Sequence, residues 1–102
     1  MRIGWVGGLD RGIERLEKAA EQAGHTLEWH SGRTSGRGVE GLETMIERSD
    51  VVVIVIEVNS HGGAILAKKL AYSHGRKAVM LRKPSISGFT RVLRELDSQV
   101  AA

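Results

Sequence analysis

The chain has 102 residues, with 15 lysines and arginines against 12 aspartates and glutamates, so its net charge is +3 when the histidines are neutral. A chain of this length has room for one hydrophobic core, and we expect a single domain over residues 1–102. The mild basic excess is too small to predict a nucleic-acid partner. The absence of cysteine excludes disulfides, thiolate catalysis and cysteine-based zinc sites.

The amino-terminal sequence runs directly into a strand-like segment instead of a charged and then apolar leader. No apolar stretch approaches the roughly 18 residues that a membrane-spanning helix needs. From these two observations we expect a cytoplasmic protein without a membrane segment.

Short apolar runs alternate with amphipathic helical windows four times along the chain, which is typical of βαβ units around a parallel sheet. The predicted strands are residues 2–6, 26–30, 51–56 and 77–81. The third of these has six consecutive β-branched residues, a pattern that fits a strand buried on both faces. We therefore expect it to be central in the sheet.

Apolar residues at helical spacing predict the inward faces of four helices. These residues are Ile13, Leu16, Ala20 and Ala23, then Val39, Leu42, Met45 and Ile46, then Ile65, Leu66, Leu70 and Ala71, and finally Phe89, Val92, Leu93 and Leu96. We expect Asp10 to cap the start of the first helix, and Asn59 or Ser60 the start of the third. Gly24 is expected to follow the end of the first helix, and Pro84 prevents the fourth strand from continuing.

Right-handed crossovers and a central third strand predict a small Rossmann-like, or flavodoxin-like, doubly wound sheet of four parallel strands in the order 2-1-3-4. In such sheets ligands bind beyond the carboxyl ends of the strands, where the strand order reverses. Here the reversal lies between the first and third strands. The residues that follow the strand ends include Gly7 and Gly8, then His30, His61 and Arg82.

This ordered set resembles the bacterial family called domain of unknown function 2325. The resemblance spans almost the whole chain, and it rests on Gly7-Gly8, His30 followed by glycines, Asp50 before an apolar strand, Ser60-His61, Lys68 or Lys69, and Leu81-Arg82 before a serine-rich turn. The family pattern tends to have aspartate where this chain has Ser31, so no carboxylate role is carried over to that position. The resemblance implies the fold and leaves the chemistry open.

His30 and His61 follow the two strands that flank the first strand, so their backbones are expected roughly 10 Å apart. Neutral imidazoles on both sides of the Gly7-Gly8 hollow are suited to a shared metal ion or to haem. We expect His61, at the start of a helix beside the switch point, to be the main ligand and His30 the second or distal partner. The candidates for an apolar slot are Trp5, Trp29, Met80 and Ile86. The structural alternative is that both histidines cap helices or bind backbone groups.

The Gly7-Gly8 turn also suits an anion, because glycine lets backbone N–H groups approach a negative group at a helix start. The dinucleotide and P-loop fingerprints are absent, and a simple tight turn is the structural alternative. Basic residues around this edge would favour a phosphate, a carboxylate or haem propionates. They are Arg11, Arg33, Arg37, Arg82 and Lys83. The alternative function is therefore binding of a phosphate-bearing small ligand by Gly7, Gly8, Arg33 and Arg82.

Catalysis receives less support from the sequence. Ser60 adjoins His61, but neighbouring residues at a helix start point apart, and no aspartate is placed to orient the imidazole. A small enzyme with His61 as general acid or base is a third possibility. We predict a non-enzymatic ligand-binding or sensing domain that holds a metal-centred cofactor, haem or a metal ion, with a site of Gly7, Gly8, His30, His61 and Arg82. The pocket of so small a domain would be shallow, so we expect a homodimer that completes it.

Overall fold

A computed structural model describes residues 1–8, 12–33, 37–57 and 61–101, with the side chains of these residues except those of His61 and residues 98–101. In these ranges four strands alternate with four helices. They are β1 (Arg2–Val6), α1 (Ile13–Gln22), β2 (Thr26–His30), α2 (Gly38–Arg48), β3 (Val51–Val55), α3 (His61–Ser73), β4 (Lys77–Leu81) and α4 (Ile86–Ala101).

The strands form one parallel sheet in the order β2-β1-β3-β4, which confirms the predicted architecture. In the register of this sheet Val6 lies opposite His30 on one side and opposite Ile54 on the other. All five residues of β3 are buried. Its unbroken β-branched sequence thus reflects a central strand that is covered by helices on both faces.

The sheet separates two hydrophobic cores. On one face α1 and α4 cover Trp5, whose ring forms a T-shaped contact with the ring of Phe89 at a centroid distance of 5.2 Å. On the other face α2 and α3 cover Val6 and the alternate residues of β3. The four predicted apolar residues of α4 are all buried in the first core, which confirms the predicted inward face of this helix.

The predicted inward faces of α2 and α3 are each wrong at one position. Val39 of α2 is 37% exposed. Ile65 is 45% exposed, whereas Ala67 and Ala71 are fully buried against the sheet. Two residues correspond to roughly 200° of helix rotation, so a helix that packs through Ala67 turns Ile65 away from the core. The small alanines allow α3 to approach the sheet closely.

Element ends differ slightly from those predicted. The third strand ends at Val55, and Ile56 is 51% exposed because it lies beyond the buried part of the sheet. Helix α1 has Gly12 at its N-cap without a side-chain capping bond, so Asp10 is not its N-cap; Asp10 itself lies outside the described residues. Asn59 and Ser60, the candidate caps of α3, also lie outside the described residues.

The end of α1 agrees with the prediction. Gly24 follows the C-cap residue with a φ of 84°, a left-handed conformation that costs glycine little. No helix in the described ranges is both long and apolar enough to cross a membrane.

Candidate functional site at the carboxyl edge of the sheet

Backbone hydrogen bonds beyond the strand ends run away from the switch point. Gly7 N donates to His30 O at 2.8 Å and thereby ties the end of β1 to β2. Ile56 N donates to Leu81 O at 2.8 Å and ties the end of β3 to β4. The two central strands are therefore each held by their outer neighbour at the edge where a doubly wound sheet binds its ligands.

The glycine turn after β1 has a left-handed backbone at two successive residues. The φ angles are 101° at Gly7 and 79° at Gly8, and any other residue would be strained there. The Trp29 indole donates from Nε1 to Gly7 O at 2.8 Å. A Cβ atom on Gly8 would lie 3.4 Å from Pro84, so the turn packs against the segment that precedes α4. The conformation of the turn is thus stabilised by the hydrogen bond from Trp29 and by packing against Pro84.

A buried N–H donor lies beside this turn. Trp5 is fully buried, and its Nε1 atom has no hydrogen-bond partner among the described residues. The same atom is 3.7 Å from the position that a Cβ on Gly8 would take. Buried donors are normally satisfied, because an unpaired one loses its bond to water without a replacement. The site therefore contains a donor that an acceptor atom at the turn would satisfy.

The residues proposed for an apolar slot do not share one environment. Trp5 is a core residue whose ring packs on Phe89, and it is closed to a flat ligand in this conformation. Trp29 is partly buried against the same core. Met80 and Ile86 are partly exposed. The ring of Trp5 therefore belongs to the hydrophobic core and does not line a slot at the carboxyl edge.

His30 is half-buried and held by the backbone that follows it. Its Nδ1 accepts a hydrogen bond from Gly32 N at 2.9 Å, so in the neutral ring the proton is assigned to Nε2. The Nε2 atom is 3.7 Å from the position of a Cβ on Gly41, where α2 has no side chain. In this conformation the ring offers a donor at Nε2, and metal ligation through that atom requires the other tautomer and the loss of the Gly32 bond.

The sheet places the backbones of the two predicted histidine ligands on the same face. His30 shares a face with Val6, and Val6 belongs to the core covered by α2 and α3. His61 is the first residue of α3, and α3 lies on that same face. Both histidines therefore occupy the carboxyl edge on one face, and the end of β1 lies between their strands.

The basic residues at this edge are exposed. Arg82 is 84% exposed in its side chain, with Nε 3.4 Å from Glu57 Oε1. An exposed pair of this kind is weak, so Arg82 is free to exchange Glu57 for another anion at little cost. Arg33, Arg37 and Lys83 are also exposed, and Arg11 lies outside the described residues.

Two features of the site were not predicted from the sequence. The donor role of Trp5 depends on the position of Nε1 relative to Gly8, and the space for the His30 ring depends on Gly41, eleven residues further along the chain. Neither relation leaves a signal in residue spacing, since both arise from packing between elements. A glycine inside an amphipathic helical pattern often has a packing reason, and Gly41 is therefore the one signal in the sequence for the space beside His30.

The family described as "Uncharacterized protein conserved in bacteria (DUF2325)" matches residues 2–96. The chain belongs to this family, in agreement with the resemblance of its strand-end residues. No curated protein and no solved structure gives a match. The family description names no reaction or ligand, so the function must be argued from the site.

Proposed function

We propose that this member of the DUF2325 family is a non-enzymatic ligand-binding or sensing domain that holds a metal-centred cofactor, haem, at the carboxyl edge of the sheet. The observation that carries the proposal is that the backbones of His30 and His61 share one face and one edge of the sheet, on either side of the strand that Gly7 and Gly8 follow. Two imidazoles in such an arrangement suit a flat cofactor seated at the switch point.

The donors at this edge favour haem over a bare metal ion. Trp5 Nε1 has no hydrogen-bond partner among the described residues, and His30 in its assigned tautomer offers a second donor at Nε2. N–H groups repel a bare cation but bind carboxylates, such as the propionates of haem. Arg82, whose present partner is a weak surface pair, adds a positive charge at the same edge.

The histidines have different roles in this proposal. His61 would be the main iron ligand, because it begins the helix beside the switch point. His30 is the distal partner, since its bond to Gly32 N leaves Nε2 as a donor. Arg82 would hold an anionic group of the cofactor at the same edge.

A haem titration followed by absorbance tests the proposal. We expect the wild-type chain to bind haem, His61→Ala to lose binding, and His30→Ala to bind more weakly or with an altered spectrum. His74→Ala is the matched control, because His74 lies beyond the other end of α3, about 20 Å away along the helix, and should load normally. A wild-type chain that does not bind haem, or a His61→Ala variant that binds as well as wild type, would contradict the proposal.

Binding of a phosphate-bearing small ligand by Gly7, Gly8, Arg33 and Arg82 is the second candidate. It is favoured by the Trp5 Nε1 donor, which has no partner in the part of the chain that the structure describes and lies beside the left-handed glycine turn, an arrangement that suits an anionic oxygen. Titration with inorganic phosphate or pyrophosphate, followed by the indole N–H signals in NMR spectra, separates the two candidates. A shift of the Trp5 signal in a chain that takes up no haem would favour the phosphate-bearing ligand.

We also propose that the chain forms a homodimer beside this site. The support is a group of exposed apolar residues on α3, on the outer strand β4 and at the end of β3, namely Ile56, Ile65, Tyr72 and Met80. Outer strands with exposed apolar residues are ready surfaces for pairing. In sedimentation experiments Met80→Glu should shift a dimer toward monomer, while Val39→Glu on α2 should leave it unchanged. A monomeric wild-type chain would contradict this part of the proposal.

The proposed cytoplasmic location is a separate prediction from the sequence. Cell fractionation with an antibody against the chain tests it, and recovery in a membrane or extracellular fraction would contradict it.

A further inference from the structure

Three potential metal ligands meet between the ends of α2 and α3, at the edge of the sheet opposite the glycine turn. They are Glu43, Glu47 and His74, and one ligand atom from each lies within 4.8 Å of the other two. Glu43 and Glu47 are four residues apart on α2, so they share one side of that helix. His74 directly follows the last residue of α3. The cluster therefore combines an imidazole and two carboxylates from two different elements.

The positions of these groups are fixed by the packing beneath them. Leu42 and Ile46 of α2 and Ala67 and Ala71 of α3 are fully buried in one core, which sets the distance between the two helices. His74 N also donates to Leu70 O at 3.0 Å and thereby continues the bonding pattern of α3. The backbone on both sides of the cluster is thus held by the fold, independently of the contacts within the cluster.

The two distances from His74 to the glutamates are close to those between ligands of one metal ion. His74 Nε2 is 3.2 Å from Glu43 Oε1 and 3.8 Å from Glu47 Oε1. Nitrogen and oxygen ligands bind Zn²⁺ at about 2.0–2.2 Å, so two ligand atoms on one tetrahedral ion are separated by about 3.4 Å. The observed separations lie on either side of this value. Rotations of the exposed glutamate side chains are sufficient to close the shell.

The charges of the cluster favour a cation. Glu43 and Glu47 have His74 as their ion-pair partner among the described residues. The neighbouring Arg76 donates from its guanidinium to the carbonyl oxygen of Glu47, at 2.7 Å, and is engaged there as a cap of α2. With a neutral imidazole, the two carboxylates have no ion-pair partner in the part of the chain that the structure describes. A divalent ion would supply a countercharge and would take the place of the proton that Nε2 shares with Glu43.

We propose that Glu43, Glu47 and His74 form a divalent cation site, with Zn²⁺ as the ion that fits best. Mixed imidazole and carboxylate ligands suit Zn²⁺, and three protein ligands leave the fourth position to water. The side chains of His74, Glu43 and Glu47 are 27%, 44% and 53% exposed, so the ion exchanges with solvent. Bound at this position, it joins α2 to α3 and stabilises the fold.

Calorimetric titration of the full chain with ZnCl₂ near neutral pH tests this proposal. Because the histidines of the carboxyl edge could bind zinc as well, the same titration is carried out on a variant with both His30→Ala and His61→Ala. We expect this variant to keep one zinc ion per chain and to gain melting temperature when zinc is added. Adding Glu43→Gln, Glu47→Gln or His74→Ala should lower the zinc affinity by more than about tenfold. Loss of a residue that only hydrogen-bonds to a metal ligand already lowers metal affinity by about 10–100-fold.

Glu40→Gln is the matched control, because it removes the same charge from the same helix one turn before Glu43 and should leave zinc affinity unchanged. The glutamine variants keep the shape of the side chain, so their melting temperatures without zinc should stay close to that of the parent. The proposal is overturned if the variant with His30→Ala and His61→Ala binds no zinc. It is also overturned if Glu47→Gln and His74→Ala in that background bind zinc as tightly as Glu40→Gln does, and the cluster is then a histidine–glutamate ion pair.

Discussion

Gly4 and Ser49 face each other so closely that a Cβ atom on Gly4 would lie 2.6 Å from Ser49 Oγ. Ser49 follows α2 and is 3% exposed, and its hydroxyl donates to Met45 O at 2.7 Å. The end of α2 can approach β1 because the strand has no side chain at this position. Gly4 therefore permits both the approach of the helix and the hydrogen bond of a buried serine.

Replacement of Gly4 by alanine should lower the free energy of unfolding by about 1–3 kcal/mol, the usual cost of an added methyl group in a packed core. Urea denaturation measures this change. Gly62→Ala is the control, because a Cβ at Gly62 in α3 meets nothing within 4 Å. It should leave stability unchanged or raise it by up to about 1 kcal/mol. Equal effects of the two substitutions would contradict the packing argument.

Replacement of Trp29 by phenylalanine removes the hydrogen bond to Gly7 O and keeps most of the ring. We expect a loss of about 0.5–1.5 kcal/mol in the free energy of unfolding. Because this bond helps to fix the glycine turn, ligand affinity at the carboxyl edge should fall as well. Urea denaturation and haem titration measure the two effects. Tyr72→Phe, at a residue that is 88% exposed, is the control for stability and should change the free energy of unfolding by less than about 0.5 kcal/mol.

Replacement of Arg82 by alanine should weaken binding of an anionic ligand at the carboxyl edge. A charge-assisted hydrogen bond is worth about 1.5–3 kcal/mol, and the exposure of Arg82 places our expectation at the lower end, about tenfold in affinity. Arg82→Lys should recover part of the loss, since it keeps the charge without the planar fork. Titrations of the three proteins with the same ligand give the comparison. Equal affinities would identify Arg82 as an ordinary surface residue.

Replacement of Phe89 by alanine should lower the free energy of unfolding by about 3–5 kcal/mol, because its buried ring packs against Trp5 and its loss would leave a cavity. The control is Ile86→Ala, three residues earlier in α4, where the side chain is 37% exposed. That variant should lose less than about 1 kcal/mol. Similar midpoints for the two variants in urea would show that Phe89 contributes less to the core than its burial indicates.

The fold could be predicted from the sequence because its elements carry local signals. The bounds of β1, β2 and β4 agree with the sequence pattern to the residue, and the β-branched run at 51–55 was sufficient to place β3 in the centre. The face of α3 was harder to predict. Ile65 is more hydrophobic than Ala67, yet Ala67 is the residue that packs against the sheet. Close packing depends on the shape of a side chain as well as on its hydrophobicity.

The candidate sites could be predicted in part. The glycine turn and the strand-end histidines follow from topology, since parallel strands bring their carboxyl ends to one edge. The donor at Trp5 Nε1 and the meeting of Glu47 with His74 depend on distances between elements that are far apart in the sequence. Spacing on α2 places Glu43 and Glu47 on one side of the helix, but it contains no information about the imidazole of the next helix.

Strand β3 contributes to both hydrophobic cores. Val53 is packed with the α1 and α4 side, whereas Val52 and Ile54 are packed with the α2 and α3 side. Neither helical layer can detach without exposing alternate residues of this one strand to water. The two layers should therefore lose their structure together, in a single cooperative transition with the same midpoint by fluorescence and by circular dichroism. A mutation deep in one layer would then lower the protection of amide protons in the other, although no side chain passes between them through the sheet.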